Sequence, residues 1–336
     1  MKTAIIGLGP HGKRLFEAAR KIESIEMNAV VDANPNAIKD LIVANKYDDY
    51  DKMLNEYQPE LVIISTNGPS HFSLAEKAIQ KGVKKLLITK PLTCTLKEGI
   101  ELKNLASEKN VKIAVDHGLR FDPTYNWIKD NINQETWGEL LQINIMRNGI
   151  GLGCLATHSF DLSNFLFDKH PLQVSAWVDK PYTKNPRGEQ FVDPGGLVIL
   201  DYGNDKKTVV SQIEQAAGPM IVQLFFKYAR IVVDVKYGTL EVVSQEKGAK
   251  STPGNPVQTK REINPHAQEV QHHTVNLMES ILRDLLYEED LVADIKHGLN
   301  AVEILVATYE SSENNHQPIQ LPVTNQQFIN KFLPVT

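Results

Sequence analysis

The chain has 336 residues, of which 42% are hydrophobic and 23% are charged, as in a globular protein with a sizeable core and room for about two domains. Its net charge of −5 argues against a nucleic-acid partner, because a nucleic-acid binder carries a basic stripe. No run of about 18 apolar residues occurs, so we expect no transmembrane helix and no membrane partner.

The first nine residues lack the apolar stretch of a signal peptide. Two cysteines, Cys94 and Cys154, are too few for a disulfide framework. Both features predict a cytoplasmic protein.

A glycine-rich turn follows the first predicted strand. Residues 2–6 are apolar, residues 7–12 read Gly-Leu-Gly-Pro-His-Gly, and residues 13–22 have apolar positions at helical spacing. In such a motif the glycines permit a tight turn, close approach of a pyrophosphate and close packing of helix on strand. We therefore predict a dinucleotide site whose cofactor-binding residues include Gly7, Gly9, Pro10, His11 and Gly12.

Asp32 ends the second predicted strand, at residues 27–31, and lies 20 residues after the last motif glycine. An acid at this spacing binds a ribose 2′-hydroxyl and repels a 2′-phosphate, and neither Ala33 nor Asn34 offers an arginine. NAD is therefore favoured over NADP. The alternative is that Asp32 only opens the following turn and caps the next helix.

The alternation of strands and helices continues to residue 115. We predict strands at 61–65, 83–88 and 111–115 and helices from about 69 to 81 and from 96 to 109. Thr66, Asn67 and His71 lie in the loop after the first of these strands and are further candidate cofactor contacts. Pro91 ends the second strand and leaves Lys90 at its carboxyl end, where open α/β sheets bind ligands. Because a lysine there is costly unless it is paired or hydrated, Lys90 is a candidate site residue.

The pattern changes after residue 121. Helices are predicted at 124–132, 155–167, 267–287 and 293–312, and β-rich runs at 139–147, 174–178, 197–202, 208–213, 221–226 and 231–243. Residues 247–265 are predicted to form a long loop. The fold class is thus α/β: a Rossmann doubly wound parallel sheet over residues 1–120, and an α+β domain with a large, mostly antiparallel open sheet over 121–336. The C-terminal segment is free to pack back on the first domain.

One face of the second sheet has too few helices to cover it. We therefore expect a homo-oligomer, a homodimer or homotetramer, formed through that sheet.

Seven short motifs in order give the chain a family resemblance. They are the glycine motif, Pro69-Ser70-His71, Thr89-Lys90-Pro91, Arg120-Phe121, Gly138-Glu139-Leu140, His158-Ser159-Phe160-Asp161 and Asp193-Pro194-Gly195-Gly196. In this order they resemble the Gfo/Idh/MocA family of oxidoreductases over nearly the whole chain.

The resemblance implies an NAD(P)-dependent oxidation or reduction of a sugar, cyclitol or nucleotide sugar. It also implies that Lys90 touches both substrate and nicotinamide ribose, and that His158 is the catalytic acid/base. A histidine buried and satisfied in a core helix is the alternative for His158. The Lys-Pro bond corresponding to Lys90-Pro91 is often cis in relatives.

The chain departs from the family pattern at three positions. Thr89 replaces a glutamate, Cys154 an aspartate and Gly118 an asparagine. Cys154 lies four residues before His158, one turn apart on a helix, so both are expected to face the same cleft. We interpret Cys154 as a small residue that widens the pocket.

Further candidate substrate contacts are Arg120, Arg147 and Asp161, of which the arginines suit a phosphate or carboxylate. No metal site is predicted. The sequence therefore predicts hydride transfer between NAD and a secondary alcohol or ketone of a small sugar-type substrate. An NAD-dependent glycosidase of the same fold and a non-catalytic NAD- and sugar-binding regulatory relative remain alternatives.

Overall fold

The computed structural model describes residues 1–149, 151–180, 184–185, 187–218, 220–235, 237–249, 257–263 and 274–335. The chain divides into two compact units. The first comprises Met1–Phe121, His273–Glu303 and Ile329–Thr336, and the second comprises Asp122–His272 and Ile304–Phe328. This division places the first boundary at residue 121 and assigns two later segments to the first unit, whereas the sequence-based division at residue 120 allowed only the C-terminal segment to pack there.

The first unit begins with a doubly wound α/β fold. Its elements are β1 (Lys2–Ile6), α1 (Pro10–Arg20), β2 (Glu26–Val31), β3 (Asn45–Tyr47), α2 (Tyr50–Glu56), β4 (Leu61–Ile64), α3 (His71–Gln80), β5 (Lys85–Ile88), α4 (Leu96–Glu108) and β6 (Lys112–Val115). The six strands are all parallel in the order β3-β2-β1-β4-β5-β6, which confirms the predicted Rossmann sheet. Neither β3 nor α2 was predicted. β3 gives no signal in the sequence because it is a three-residue edge strand without an apolar run.

The second unit contains a larger sheet and the helices that pack on it. After α5 (Pro123–Asn131) and β7 (Leu140–Asn148), a π-helical turn (Leu152–Ala156) leads into α6 (Thr157–Phe167). Six strands follow: β8 (Gln173–Val178), β9 (Gly196–Gly203), β10 (Lys206–Ile213), β11 (Ile221–Phe226), β12 (Ala229–Asp234) and β13 (Thr239–Gln245). The later elements of the chain are β14 (Thr259–Ile263), α7 (Thr274–Tyr287), α8 (Ile295–Glu313), β15 (Ile319–Gln320) and α9 (Gln326–Ile329).

Nine of these strands form one sheet in the order β14-β13-β12-β11-β7-β10-β9-β8-β15. Its described pairs are antiparallel except β7 with β10, so the sheet is mixed and mostly antiparallel, as predicted. Burial alternates along the central strands, which leaves one face buried and the other half-exposed.

Three expectations in this half need correction or fall outside the described residues. The run predicted at 231–243 is a hairpin, because Asp234 and Thr239 end the paired segments of β12 and β13. The long loop predicted at 247–265 contains β14, whose five residues are all exposed and so carry no apolar signal. The other parts of that loop at 250–256 and 264–265, and the predicted start of α7 at 267–273, lie outside the described residues.

The core of the first unit combines the N-terminal sheet with a helix from late in the chain. Leu15 of α1 and Ile22 just after it belong to the same buried cluster as Ile281 and Leu285 of α7. Burial of apolar side chains of this size stabilises a fold by roughly 1.5–3 kcal/mol each. The first unit therefore needs α7 to complete its core.

No helix in the described part of the chain is long and apolar enough to cross a membrane.

Candidate functional site

The glycine turn lies between β1 and α1 and is held by close backbone packing. Gly7 has φ +89°, and a Cβ there would lie 2.5 Å from the carbonyl oxygen of Ser65. A Cβ on Gly12 would lie 1.8 Å from the carbonyl oxygen of Gly7, whereas nothing lies within 4 Å of a Cβ on Gly9. Gly7 and Gly12 thus permit the turn, and Gly9 leaves open space in front of it.

That open space adjoins the first turn of α1. No side chain caps the turn, and Pro10 occupies its first position. An uncapped helix N-terminus with open space before it suits a pyrophosphate. The residues present therefore fit a dinucleotide.

Asp32, at the carboxyl end of β2, stabilises the glycine turn by hydrogen bonding. One carboxylate oxygen accepts the N–H of Leu8 at 2.7 Å, and the other accepts the N–H of Asn34 at 2.8 Å. The first bond ties the acid to the glycine turn, and the second forms the local turn considered as the alternative. Asp32 is half-buried, so part of its carboxylate is accessible to a ribose.

His71 connects two loops behind the site. Its Nδ1 lies 2.8 Å from the carbonyl oxygen of Pro91, and its Nε2 lies 3.1 Å from that of Thr66 and 3.3 Å from Oγ1 of Thr89. Burial, aided by the charge of Lys90, lowers the pKa of His71. A neutral ring carries one N–H, so it donates to only one of the two carbonyl oxygens, that of Pro91 or that of Thr66.

The imidazole is fully buried, so it supports the loops from behind. It ties the segment after β4 to the Lys90-Pro91 peptide, which is cis. The predicted cofactor contacts Thr66 and Asn67 lie in the loop that His71 supports. Oγ1 of Thr66 is 2.7 Å from Oγ of Ser70, and the carbonyl oxygen of Asn67 accepts the Ser70 N–H.

Lys90 is half-buried at the carboxyl end of β5, close to an acid that sequence reasoning missed. Asp116 directly follows β6, and its Oδ2 lies 2.6 Å from Nε2 of His11 in the glycine turn. Burial opposes ionisation of Asp116, but the hydrogen bond from His11 and the charges of His11, His117 and Lys90 together lower its pKa. The ends of β5 and β6 and the glycine turn therefore share one charged cluster.

Arg120, a predicted substrate contact, is buried in the first unit. Its Nη1 donates to the carbonyl oxygen of Val292 at 3.2 Å, a residue between α7 and α8. This contact gives Arg120 a structural role in tying the late helices to the end of the first sheet.

In the second unit, the predicted site residues lie around the π-helical turn. Asp193, which is 2% exposed, accepts the N–H groups of Gly153 at 2.7 Å and Cys154 at 2.8 Å. A Cβ on Gly151 would lie 2.2 Å from Oδ2 of Asp193, so only glycine leaves room for this carboxylate. Asp193 thereby fixes the start of α6.

Two guanidinium groups reach the same turn. Nη1 of Arg147, at the end of β7, donates to the carbonyl oxygen of Leu155 at 3.3 Å, and Nη1 of Arg187 lies 3.5 Å from Sγ of Cys154. Burial lowers the pKa of Arg147, and the nearby Cys154 and Tyr125 oppose that shift.

His158 is half-buried near the start of α6, one residue after Thr157. Cys154 lies in the π-helical turn, not in α6, so the simple four-residue spacing of an α-helix does not apply between them. Asp161 is 1% exposed and contributes to raising the pKa of the buried Tyr202, after burial itself. Asp161 therefore faces the interior of the unit.

Among the described residues, no group of three or more histidine, cysteine, aspartate or glutamate side chains is arranged to hold a metal ion.

Comparison with known protein families identifies both halves of the chain. Residues 1–117 match the family described as "Oxidoreductase family, NAD-binding Rossmann fold", and residues 133–321 match "Oxidoreductase family, C-terminal alpha/beta domain". The chain belongs to the Gfo/Idh/MocA oxidoreductase family. The resemblance drawn from the short motifs is thereby confirmed, and so is NAD as the cofactor of the first unit.

Individual relatives of the Gfo/Idh/MocA family are distant. A scyllo-inositol 2-dehydrogenase (NADP(+)) of Bacillus subtilis is 29% identical over 146 residues, which are 43% of this chain and 40% of that protein. A UDP-N-acetylglucosamine 3-dehydrogenase of Acidithiobacillus ferrooxidans is 27% identical over 132 residues, 38% of this chain and 41% of that protein. The matched part of this chain spans two fifths or less of the first curated relatives, 27% in one case.

Among solved structures, a levoglucosan dehydrogenase in complex with NADH superposes with a TM-score of 0.80. The two chains are 16% identical, and the match covers 96% of this chain and 99% of the other. At this identity the likeness shows the shared fold.

Four residues of the candidate site were not singled out from the sequence. Asp116 follows β6 as Lys90 follows β5, so the same argument from strand ends would have found it. Asp193 stands in a turn noted only for the resemblance. Tyr125 and Arg187 carry no recognisable local signal.

Proposed function

We propose that this chain is an NAD-dependent oxidoreductase that transfers hydride between the nicotinamide and a secondary alcohol or ketone of a sugar, cyclitol or nucleotide sugar. The observation that carries the proposal is the open space at Gly9 in the glycine turn. Asp32 is bonded to the same turn, and Lys90 follows β5 at the carboxyl edge of the same parallel sheet. Members of the family with related sequences include an inositol dehydrogenase and a nucleotide-sugar dehydrogenase, which supports this substrate class.

Each proposed role follows from the chemistry of the side chain. Bound NAD supplies the hydride acceptor or donor. Lys90 places an ammonium where negative charge develops on the substrate oxygen, because fixed positive charge stabilises an alkoxide. His158 exchanges the hydroxyl proton, since an imidazole titrates near neutral pH.

The altered signature position has a specific place in this proposal. Thr89, in place of the glutamate found in relatives, lies 3.3 Å from His71 through its hydroxyl. His71 in turn contacts the carbonyl oxygen of Pro91, next to Lys90. We infer that Thr89 supports the position of Lys90 through His71.

The test is a panel of sugars, cyclitols and nucleotide sugars incubated with NAD, with NADH formation followed by absorbance. We expect at least one class to be oxidised, and His158→Ala to lower kcat by about a hundredfold or more while the dissociation constant for NAD stays unchanged. His170→Ala, in a loop of the same unit, is the matched control. Tight NAD binding without turnover of any substrate would instead favour the non-catalytic alternative, and release of a free sugar without net NADH would favour the glycosidase.

We also propose a homo-oligomer, a homodimer or homotetramer, formed through the half-exposed face of the nine-stranded sheet. Three apolar side chains on that face, Met146, Trp177 and Ile213, are each 40% or more exposed. An apolar sheet face of this extent is typical of an interface between subunits. Sedimentation analysis should give a mass at least twice the 37.7 kDa of one chain, and a monomer would contradict the proposal.

A further inference from the structure

Arg147 is a half-buried cation that has no carboxylate partner among the residues the structure describes. Within the described part of the chain no acidic side chain lies within ion-pair distance of its guanidinium, and its hydrogen bond at Nη1 goes to the neutral carbonyl oxygen of Leu155. Removing a charge from water without pairing it is costly. The fold therefore holds Arg147 in a position that an anion would stabilise.

Arg187 brings a second positive charge to the same turn. Its Nη1 contacts Sγ of Cys154, one residue before the carbonyl that Arg147 binds. A thiol is a weak hydrogen-bond acceptor and leaves most of the five guanidinium donors unused. Arg187 is itself exposed, so these donors are accessible from solvent.

The acid that holds this turn, Asp193, binds its backbone. Asp193 directs its two oxygens to the backbone N–H groups of Gly153 and Cys154. Its charge thus stabilises the start of the π-helical turn. Two guanidinium groups therefore remain beside the segment that leads to His158.

Tyr125 provides an independent indication of a ligand. Its ring is fully buried, and its hydroxyl has no hydrogen-bond partner among the described residues. Burial and the charge of Asp122 raise its pKa, whereas the charge of Arg147 opposes the shift, so the phenol and the guanidinium are neighbours. Leaving a buried hydroxyl without a partner is unfavourable, which makes an unused donor beside Arg147 unusual.

We propose that the substrate carries an anionic group, a carboxylate or a phosphate, that binds Arg147 and Arg187 beside the turn preceding α6. The planar fork of a guanidinium matches two oxygens of such a group, and the Tyr125 hydroxyl adds a neutral donor. This inference rests on the proposed function, which needs His158 at the reacting carbon, and it restricts the substrate to acidic sugars.

Binding of defined probes to the full chain saturated with NAD tests the inference by calorimetry. The probes are D-glucuronate for a carboxylate, D-glucose 1-phosphate for a phosphate, and D-glucose as the neutral reference. We expect one acidic probe to bind at least tenfold more tightly than glucose, and its binding to weaken as salt is raised.

Three variants identify the residues involved. Arg187→Gln and Arg147→Gln should each weaken the acidic probe by about tenfold to a hundredfold, Arg187→Lys should restore part of the loss, and glucose binding should not change. Lys184→Gln removes a charge from the same exposed segment and serves as the matched control. If the Arg147 variant does not fold, the Arg187→Gln and Arg187→Lys variants decide whether an arginine binds the anionic group.

The outcomes separate this inference from the proposed function. Equal affinity for glucose and both acidic probes, no binding of either acid at about 10 mM, or unaltered binding by Arg187→Gln would overturn the anion site. If only neutral sugars reduce NAD, the oxidoreductase proposal is supported and the anion site is contradicted. If an acid binds in an arginine-dependent way but no sugar is turned over, the anion site is supported and the oxidoreductase proposal is contradicted.

Discussion

Asp32 illustrates how one carboxylate serves two purposes. The sequence offered a choice between a ribose ligand and the cap of a local turn, and the acid accepts N–H groups from both the glycine turn and the following residues. The same negative charge that holds Leu8 in place would repel the 2′-phosphate of NADP. Cofactor preference and the geometry of the turn are therefore linked in this residue.

Replacing Asp32 by asparagine should change cofactor preference more than stability. The amide keeps an oxygen for one backbone N–H but removes the charge, so we expect the wild-type preference for NADH over NADPH to fall by about tenfold or more. Fluorescence titration with both cofactors measures the ratio. The exposed Asp40→Asn should leave it unchanged, and a wild-type protein that prefers NADPH would contradict the assignment.

The contact between buried Asp116 and half-buried His11 predicts a pH-dependent stability. Because the folded-state pKa of Asp116 is below the unfolded value of about 3.9, its contribution is present above that value and is lost as pH falls through the folded pKa. At pH 7, Asp116→Asn should therefore lower the free energy of unfolding by about 1–3 kcal/mol.

Denaturant unfolding at pH 7, 5 and 3 checks this sign. The difference between wild type and Asp116→Asn should be larger at pH 5 than at pH 3. The exposed Asp130→Asn is the control. A difference that stays constant down to pH 3 would show that ionisation of Asp116 is not what stabilises the pair.

At the scale of elements, the glycine turn permits a matched comparison. Gly9 has φ −63°, which alanine adopts without strain, and open space surrounds its Cβ position. Gly9→Ala should thus fold normally but weaken NAD binding by about tenfold or more, since the methyl group occupies the space in front of the turn. Gly12→Ala should instead destabilise the protein by about 1–3 kcal/mol, because its Cβ meets the Gly7 carbonyl.

Thermal unfolding and NAD titration of the two variants separate these effects. If Gly9→Ala binds NAD with wild-type affinity, the pyrophosphate does not bind at this turn. An unchanged melting temperature in Gly12→Ala would mean that the backbone relaxes to admit the methyl group.

Periodicity in the sequence predicted the elements that bury apolar residues, and it failed where burial is absent. The fully buried β4 and the mostly buried β5 were found within two residues of their ends. The exposed β14 was taken for a loop because none of its residues is buried; it is held by backbone pairing with β13 and by the bond between Arg261 and Glu241. The pair of His11 and Asp116 was missed for a related reason: the two residues are 105 positions apart, and only the topology of the sheet brings them together.

For the whole molecule, the open face of the larger sheet gives the sharpest prediction. Val209 lies between Ile199 and Asn144 in the centre of that sheet and is half-exposed. Val209→Lys should convert the proposed oligomer to a monomer, because an interface would have to bury an unpaired charge. Sedimentation of this variant beside Glu189→Lys, a loop control, measures the effect; an unchanged oligomer would exclude this face.

The division of the chain into two units limits which segments can be recombined between related proteins. The chain passes between the two units four times, after residues 121, 272, 303 and 328. The first unit also completes its core with Met278, Ile281 and Leu285 of α7. A gene fragment ending at residue 121 would lack these side chains, so the nucleotide-binding half cannot be recombined between relatives as a cassette. Grafts would have to carry α7 with the sheet it covers.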